Sequence, residues 1–505
     1  MFEITNLEPR QYQKNIFEVC KEKSSLVILP TGVGKTAISM MLSIYRLNKY
    51  LSSKAVVCSP TKPICSQHIK TFQKHTNIPE EKIILYTGAT KPQDRIKLWQ
   101  DSTIIVATPQ TISIDLKALR IDLKDVSLLT IDEAHRSRMK YANTLVAKHY
   151  SHESKFPLIL GLTASPGSSK EKIEEICNNL NIESIEIRTE DDEDVKPYMQ
   201  ERDIKWIEIE LPPEIDNLKS LITKAYMSSL EGLRSFGLTK PIKIVNKKDL
   251  LLLRKYLEDQ LKGGNKASYY GLSLVAQSMK LDHAVDLIGT QGLIPLDEYW
   301  RKLEKESTRA SKTIIKNDDI KKAINITTDL IKQQFIHPKL KTLVTIITKE
   351  LGKNPRSKII VFANYRNTVK SIVDFLNKNE KIKSIELMGQ KEGVTQKIQL
   401  NNIKRFESGE FNVLVGTSIG EEGLDISGAT LAIFYDIVSS EIRTIQRIGR
   451  VGRVKAGEII LLITKGSRDE AFYWTAKRKE KSMKKTVKLI QDTNILQTKL
   501  ETNQK

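Results

Sequence analysis

The residues most able to do chemistry lie in three short runs. Pro30-Thr31-Gly32-Val33-Gly34-Lys35-Thr36 follows the apolar run Leu26–Leu29, and AISMMLSIYRL after it has helical apolar spacing. Strand, glycine turn and helix in that order leave backbone N–H groups converging on a helix N-terminus. There the helix dipole favours an anion, so the turn suits a triphosphate. In such a loop Thr31, Gly32 and Gly34 shape the cradle, Lys35 neutralises the outer phosphates and the Thr36 hydroxyl holds a magnesium ion. The strict spacing asks for glycine at position 29, where this chain has Leu29. The second run, LLTIDEAH from Leu128 to His135, puts two carboxylates at the end of a buried strand. Asp132 is placed to hold the magnesium through water, and Glu133 to orient and deprotonate an attacking water. The third, Gln446-Arg447-Ile448-Gly449-Arg450-Val451-Gly452-Arg453, spaces three arginines by three residues, along one face of a helical turn. Arginine's fixed charge and planar fork suit a transferring phosphate, so these side chains can act as fingers on a neighbouring nucleotide site.

Positioning such groups takes more than one core. At 505 residues the chain suggests about three domains, and 40% hydrophobic residues are enough to bury them. From Leu26 to about Ile209, short apolar strands (AVVCSP from 55, IIVATP from 104, LLTIDEAH from 128, LILGLTASP from 158) alternate with amphipathic helices. That alternation predicts an α/β fold with a parallel doubly wound sheet, whose ligands bind at the carboxyl ends of the strands. Pro212-Pro213 breaks the pattern, and helical spacing takes over to about Phe335. Leu218, Leu221, Ile222 and Ala225 form one stripe, and Leu250, Leu253, Leu257 and Leu261 a second one that Gly263-Gly264 stops. Strands return at KIIVFANY, SIELMG, FNVLVGTS, TLAIFYD and EIILLIT, a second α/β domain. The expected division is 1–212, a helical insertion 213–335, and 336–505 with a basic tail.

Lys plus Arg is 81 against 61 Asp plus Glu, a net charge of +20, which favours a polyanionic partner, nucleic acid before membrane. The insertion holds 21 basic and 15 acidic residues, so its net +6 is near the chain average, and packing is its default role. The tail from Lys477 holds nine basic and three acidic residues, the densest basic segment. Cys20, Cys58, Cys65 and Cys177 have neither disulfide-framework nor zinc spacing. With no apolar run of membrane length and no leader pattern at the N-terminus, a cytoplasmic protein is expected.

PTGVGKT, DEAH, Thr163-Ala164-Ser165, GTSIGEEGLDI (416–426) and QRIGRVGR, in this order, resemble the motifs of superfamily 2 helicases. Within that superfamily the chain is most similar to archaeal Hef and its Fanconi anaemia group M relatives. PRQYQ (9–13), SPTKPICSQH (59–68), ATPQ (107–110), FANYRNT (362–368), FYDIVSSEIRTIQRIGR (434–450) and RDEAFYWTAKRKEK (468–481) carry this likeness. The resemblance implies two RecA-like motor domains around a helical insertion, with ATP and Mg2+ bound between them and forked or branched DNA as substrate. It implies that Gln13 reads the adenine edge with Arg10 against the ring, that Gly423 lets the backbone approach the nucleotide, and that Asp425 bonds the ribose. Gln446, Arg450 and Arg453 complete the catalytic set, and Thr163 and Ser165 couple hydrolysis to movement. Thr61, Lys62, Thr87, Gly88, Thr108, Pro109, Gln110, Arg366, Gln390, Thr417 and Ser418 would contact one strand's backbone. These small hydroxyl and amide groups suit phosphate positioning and are blind to sequence. Hef chains usually continue into a nuclease domain that does not follow within these 505 residues, which fits either a piece of a longer chain or a separate structure-specific nuclease as partner. Two other readings share much of the layout: a duplex-RNA-stimulated ATPase like the innate-immune sensors, and a non-catalytic clamp that ATP merely switches. A clamp has no need of the Glu133 base.

Overall fold

The structure, a computed structural model, describes the chain except residues 140, 168, 200–202, 390–394, 418–428, 438–457 and 503–505, and the side chains of 396 and 491–502. It contains two all-parallel sheets. The first is built from β1 (Ser25–Ile28), β2 (Lys54–Cys58), β3 (Ile83–Tyr86), β4 (Ile104–Ala107), β5 (Val126–Asp132), β6 (Ile159–Thr163) and β7 (Ser184–Ile187). Their order is β3-β4-β2-β5-β6-β1-β7. Nearly every residue of β1, β2, β4, β5 and β6 is buried, because helices cover both faces, and this explains the unbroken apolar runs. One core lies on each side of the sheet: Val56, Ile105 and Leu129 point to one, Val57, Val106 and Leu128 to the other.

The second sheet contains β8 (Asp203–Ile209), β9 (Ile359–Phe362), β10 (Ser384–Leu387), β11 (Val413–Gly416), β12 (Leu431–Phe434) and β13 (Glu458–Thr464) in the order β10-β11-β9-β12-β13-β8. β8 departs from the expected layout. A boundary at residue 212 leaves it in the first domain, yet it pairs in register with all of β13, from Asp203 beside Glu458 to Ile209 beside Thr464. The alternation of DIKWIEI specifies a strand and says nothing about which sheet receives it.

The insertion is a helical bundle with the expected stripes inside. Leu218, Ile222 and Ala225 of helix Pro213–Gly232 share a core with Trp300, while Leu250, Leu253 and Leu257 of helix Lys247–Lys262 form a second cluster with Leu274. Buried polar contacts fasten this bundle to the second sheet. The Gln291 amide donates to Asp436 at 2.6 Å, and Arg468 pairs with Asp282. Within the second domain the fully buried Lys339 ammonium pairs with Asp469. Burial raises the Asp469 carboxyl to about 6, against the pull of Lys339.

The last helix, Arg468–Thr502, starts against the second sheet, where Phe472 and Tyr473 pack on its core. Met483 and Val487, three turns on, are buried in the first domain's core beside Ile173 and Ile176. One helix thus bridges both motor domains.

Candidate active site and nucleic-acid interface

The phosphate loop follows β1 and ends on helix Lys35–Lys49, with Gly34 at its N-cap. Gly32 and Gly34 have φ of 86° and 84°, left-handed values that a side chain resists. At Gly34 there is also no room, since a Cβ would sit 2.9 Å from the Gln13 amide nitrogen. Helix Gln11–Cys20 braces the loop: the Tyr12 hydroxyl donates to the Val33 carbonyl, and Gln13 Nε2 donates to the Gly34 carbonyl at 3.2 Å. Gln13 Oε1 accepts from the Arg10 N–H at 2.8 Å. Gln13 therefore touches the loop directly. Arg10 lies 4.4 Å over the ring of Tyr198, an aromatic that motif reading did not single out. Lys35 Nζ donates to the carbonyls of Leu29 and Pro30 at 3.2 and 3.0 Å, held at the mouth of the cradle.

Asp132 ends β5, two strands from β1 in the sheet. Its Oδ2 lies 3.1 Å from His68 Nε2 and accepts from Ser59 Oγ at 3.4 Å, and its Oδ1 accepts from the Glu133 N–H at 3.0 Å. Burial works against ionisation of this carboxyl, but the hydrogen bond and charge of His68, with Lys35, hold it below the usual carboxylate range. The part-buried anionic carboxylate of Asp132 and the Thr36 hydroxyl in the first turn of the helix after the glycine loop are hard oxygen donors of the kind a divalent cation takes. The described residues contain no cluster of three or more side chains that would hold a metal without a nucleotide.

Glu133 has φ of 52°, a left-handed backbone rare outside glycine, which turns its side chain out of the strand. Its Oε2 is 3.3 Å from His135 Nδ1, which is 3.1 Å from Thr163 Oγ1, and that oxygen accepts the Ser165 N–H at 3.2 Å. Burial, assisted by Arg136 and Lys35, lowers His135 to about 4, so the ring is neutral at pH 7. Glu133 at the end of β5 is thereby linked to Thr163 and Ser165 at the end of β6 through one imidazole.

The expected backbone contacts occupy the other half of the same sheet edge. Thr61 follows β2 at the N-cap of helix Lys62–His75, Thr87 and Gly88 follow β3, and Thr108 follows β4 at the N-cap of Pro109–Lys117, whose first turn holds Pro109 and Gln110. Thr61 Oγ1 is buried without a hydrogen-bond partner, which a phosphate oxygen at this helix N-terminus would supply. Thr108 Oγ1 bonds Thr111 Oγ1 at 2.8 Å. In the second sheet Arg366 opens helix Arg366–Leu376 after β9 and donates to the Gly389 carbonyl at 2.9 Å, and Thr417 follows β11. Gln390, Ser418, Gly423, Asp425, Gln446, Arg450 and Arg453 lie outside the described residues. His68, Ser59 and Tyr198 had no role from motif reading. His68 lies in the quoted SPTKPICSQH run, but only the fold brings it to Asp132.

Three family models match the chain. Residues 10–173 match DEAD/DEAH box helicase, 214–334 the helical bundle of a putative ATP-dependent RNA helicase, and 338–455 the helicase conserved C-terminal domain. The helicase domain of Pyrococcus furiosus Hef is 44% identical, with a TM-score of 0.74 over 92% of this chain and 98% of that one. The chain is a superfamily 2 helicase of the Hef type. Among curated relatives of this ATP-dependent helicase, a putative ATP-dependent RNA helicase of Methanocaldococcus jannaschii is 39% identical over 95% of the chain, and the ATP-dependent DNA helicase mph1 of Neurospora crassa 35% over 92%. The chain spans 61% and 42% of their lengths. No helix among the described residues is long and apolar enough to cross a membrane.

Proposed function

We propose that this helicase translocates on DNA and acts on forked or branched structures in replication-fork repair or recombination, in the cytoplasm beside the chromosome. One observation carries the reading. In the first sheet the nucleotide groups end β1, β5 and β6, while the backbone-contact groups end β2, β3 and β4. A nucleotide and a strand can then lie side by side on one edge, sharing β2 and β5 as neighbours.

Lys35 would leave its two carbonyls for the phosphates, and Thr36 and Asp132 would hold Mg2+. When bound, the ion would supply positive charge that offsets the charge of the phosphates. Glu133 takes the proton of the attacking water, and the Glu133–His135–Thr163 contact passes the change to β6. Gln13 and Arg10 hold the base, with Tyr198 exchanging Arg10 for the adenine ring. Gly423 would let the backbone approach the nucleotide and Asp425 would bond the ribose, while Gln446, Arg450 and Arg453 would act on the γ phosphate. Thr61, Lys62, Thr87, Gly88, Thr108, Pro109, Gln110, Arg366, Gln390, Thr417 and Ser418 hold one strand.

DNA is favoured because mph1 is named a DNA helicase. The M. jannaschii relative is named a putative RNA helicase, which keeps RNA as the second reading. ATPase rates with single-stranded, duplex and forked DNA and duplex RNA side by side decide between them. The proposal expects forked DNA to stimulate most, and greatest stimulation by duplex RNA overturns it.

A further inference from the structure

The basic tail takes no part in the site just described. In helix Arg468–Thr502, Trp474, Lys477, Arg478, Lys481, Lys485 and Lys488 are all exposed. Their spacing of 3, 4, 7, 11 and 14 residues from Trp474 keeps them on one face, a stripe advancing about 21 Å along the axis. The opposite face is anchored, because Ala476, Met483 and Val487 are buried. The stripe is thus held outward by packing on its back.

At its head is an open aromatic platform. Trp206 of edge strand β8 stacks on Tyr473 with ring centroids 5.5 Å apart and planes 19° apart, and Trp474 meets Trp206 edge-on at 6.2 Å. Trp206 is 53% exposed and Trp474 44%. Lys477 Nζ lies 5.7 and 5.6 Å from the Tyr473 and Trp474 centroids. Burial of that much tryptophan surface would be favourable, yet the chain leaves it in water beside five cations. Ring faces flanked by a cationic track are what unpaired bases and their phosphates require.

We propose that this face is a second binding site for single-stranded nucleic acid, apart from the motor groove: a base stacks on the Trp206–Trp474 platform and the phosphates follow Lys477, Arg478 and Lys481. A paired base offers no free ring face at mid-duplex, so the site selects unpaired strand. It rests on the reading of the chain as a nucleic-acid motor, whose action produces such strand.

Tryptophan emission reads the site directly, because the chain's other two tryptophans, Trp99 and Trp300, are 6% and 1% exposed. Titration of the full chain with an oligothymidylate of about 16 nucleotides should quench the emission, and a blunt duplex should not. Trp474→Leu should remove at least half of the quench and weaken strand affinity about tenfold. Lys477→Gln, Arg478→Gln and Lys481→Gln together disturb no buried group. They should lower the salt dependence of strand binding by about two units of log–log slope, three phosphates at about 0.7 each. ATP hydrolysis without nucleic acid should be unchanged in both variants. Unmoved emission at saturating strand, as a protein-docking patch would give, overturns the proposal. So does equal quenching by the duplex, or an unchanged salt slope in the triple variant even if Trp474→Leu fails to fold. Should DNA accelerate hydrolysis without quenching, the second site falls and the motor reading stands. If no nucleic acid accelerates hydrolysis, the motor reading falls.

Discussion

Lys35 follows β1 and Glu133 follows β5, and the proposed mechanism gives them different tasks. Lys35 sits at the mouth of the cradle, whereas Glu133 is turned out of its strand by a left-handed backbone. Lys35→Ala should therefore weaken ATP binding and abolish hydrolysis, while Glu133→Gln should bind ATP as the wild type does and lose turnover by about a hundredfold or more. Nucleotide titration of both variants checks this, and equal loss of affinity would remove the distinction. Arg450→Ala and Arg453→Ala should each lower turnover on saturating DNA by about a thousandfold, the scale of a lost finger, with unchanged thermal unfolding. At this scale the sequence was legible where chemistry demands neighbours along the chain, as in the loop and the acidic pair. It was silent on His68, 64 residues from Asp132, and on Tyr198, which reaches Arg10 only through folding.

Elements on the strand-binding side are fixed by an ion cluster. Asp115 of helix Pro109–Lys117 is fully buried and accepts from Tyr86 at 2.6 Å, from Arg95 at 2.6 and 2.7 Å and from Arg120 at 2.9 Å. Burial opposes its ionisation, but these donors outweigh it and hold the carboxyl at about 2, against an ordinary 3.8. A depressed carboxylate adds stability that is present above the ordinary value and lost as pH falls through 4 toward 2. The contribution is about 2 kcal/mol at neutral pH. Asp115→Ala leaves buried guanidinium charge unpaired and should cost about 3 to 5 kcal/mol by denaturant unfolding at pH 7. The difference from the wild type should shrink as pH is lowered below 4. The bundle gives a contrasting case. Of six cations available to touch a duplex, Lys240 pairs with Asp249 at 2.7 Å and Arg254 with Glu258 at 2.8 Å. Replacing Lys240, Lys243, Lys247, Lys248, Arg254 and Lys255 by Gln should weaken forked-DNA binding and leave single-strand binding nearly unchanged. The salt slope should fall by fewer than six units, since two of these cations already have partners. Anisotropy with both substrates at several salt concentrations reads it, and parallel weakening would leave the bundle a packing element. Helix periodicity made the bundle's apolar stripes legible, because burial follows the 3.6-residue repeat. Sheet membership was not, since β8 carries a strand pattern that either sheet could accept.

Across the whole molecule, Gln291 and Asp282 fasten the bundle to the second domain through Asp436 and Arg468, and the last helix ties that domain back to the first domain's core. If the motor domains close on ATP as proposed, these ties require the bundle to follow and the last helix to bend or slide. Single-turnover strand displacement on a labelled DNA fork, with ATP and Mg2+, tests the proposed motor action most directly by comparing the wild type with Glu133→Gln. The account predicts that the wild type separates the strands, while Glu133→Gln binds both fork and ATP and separates none. Strand separation by Glu133→Gln, or a wild type that hydrolyses ATP on the fork and never moves its strands, would contradict it.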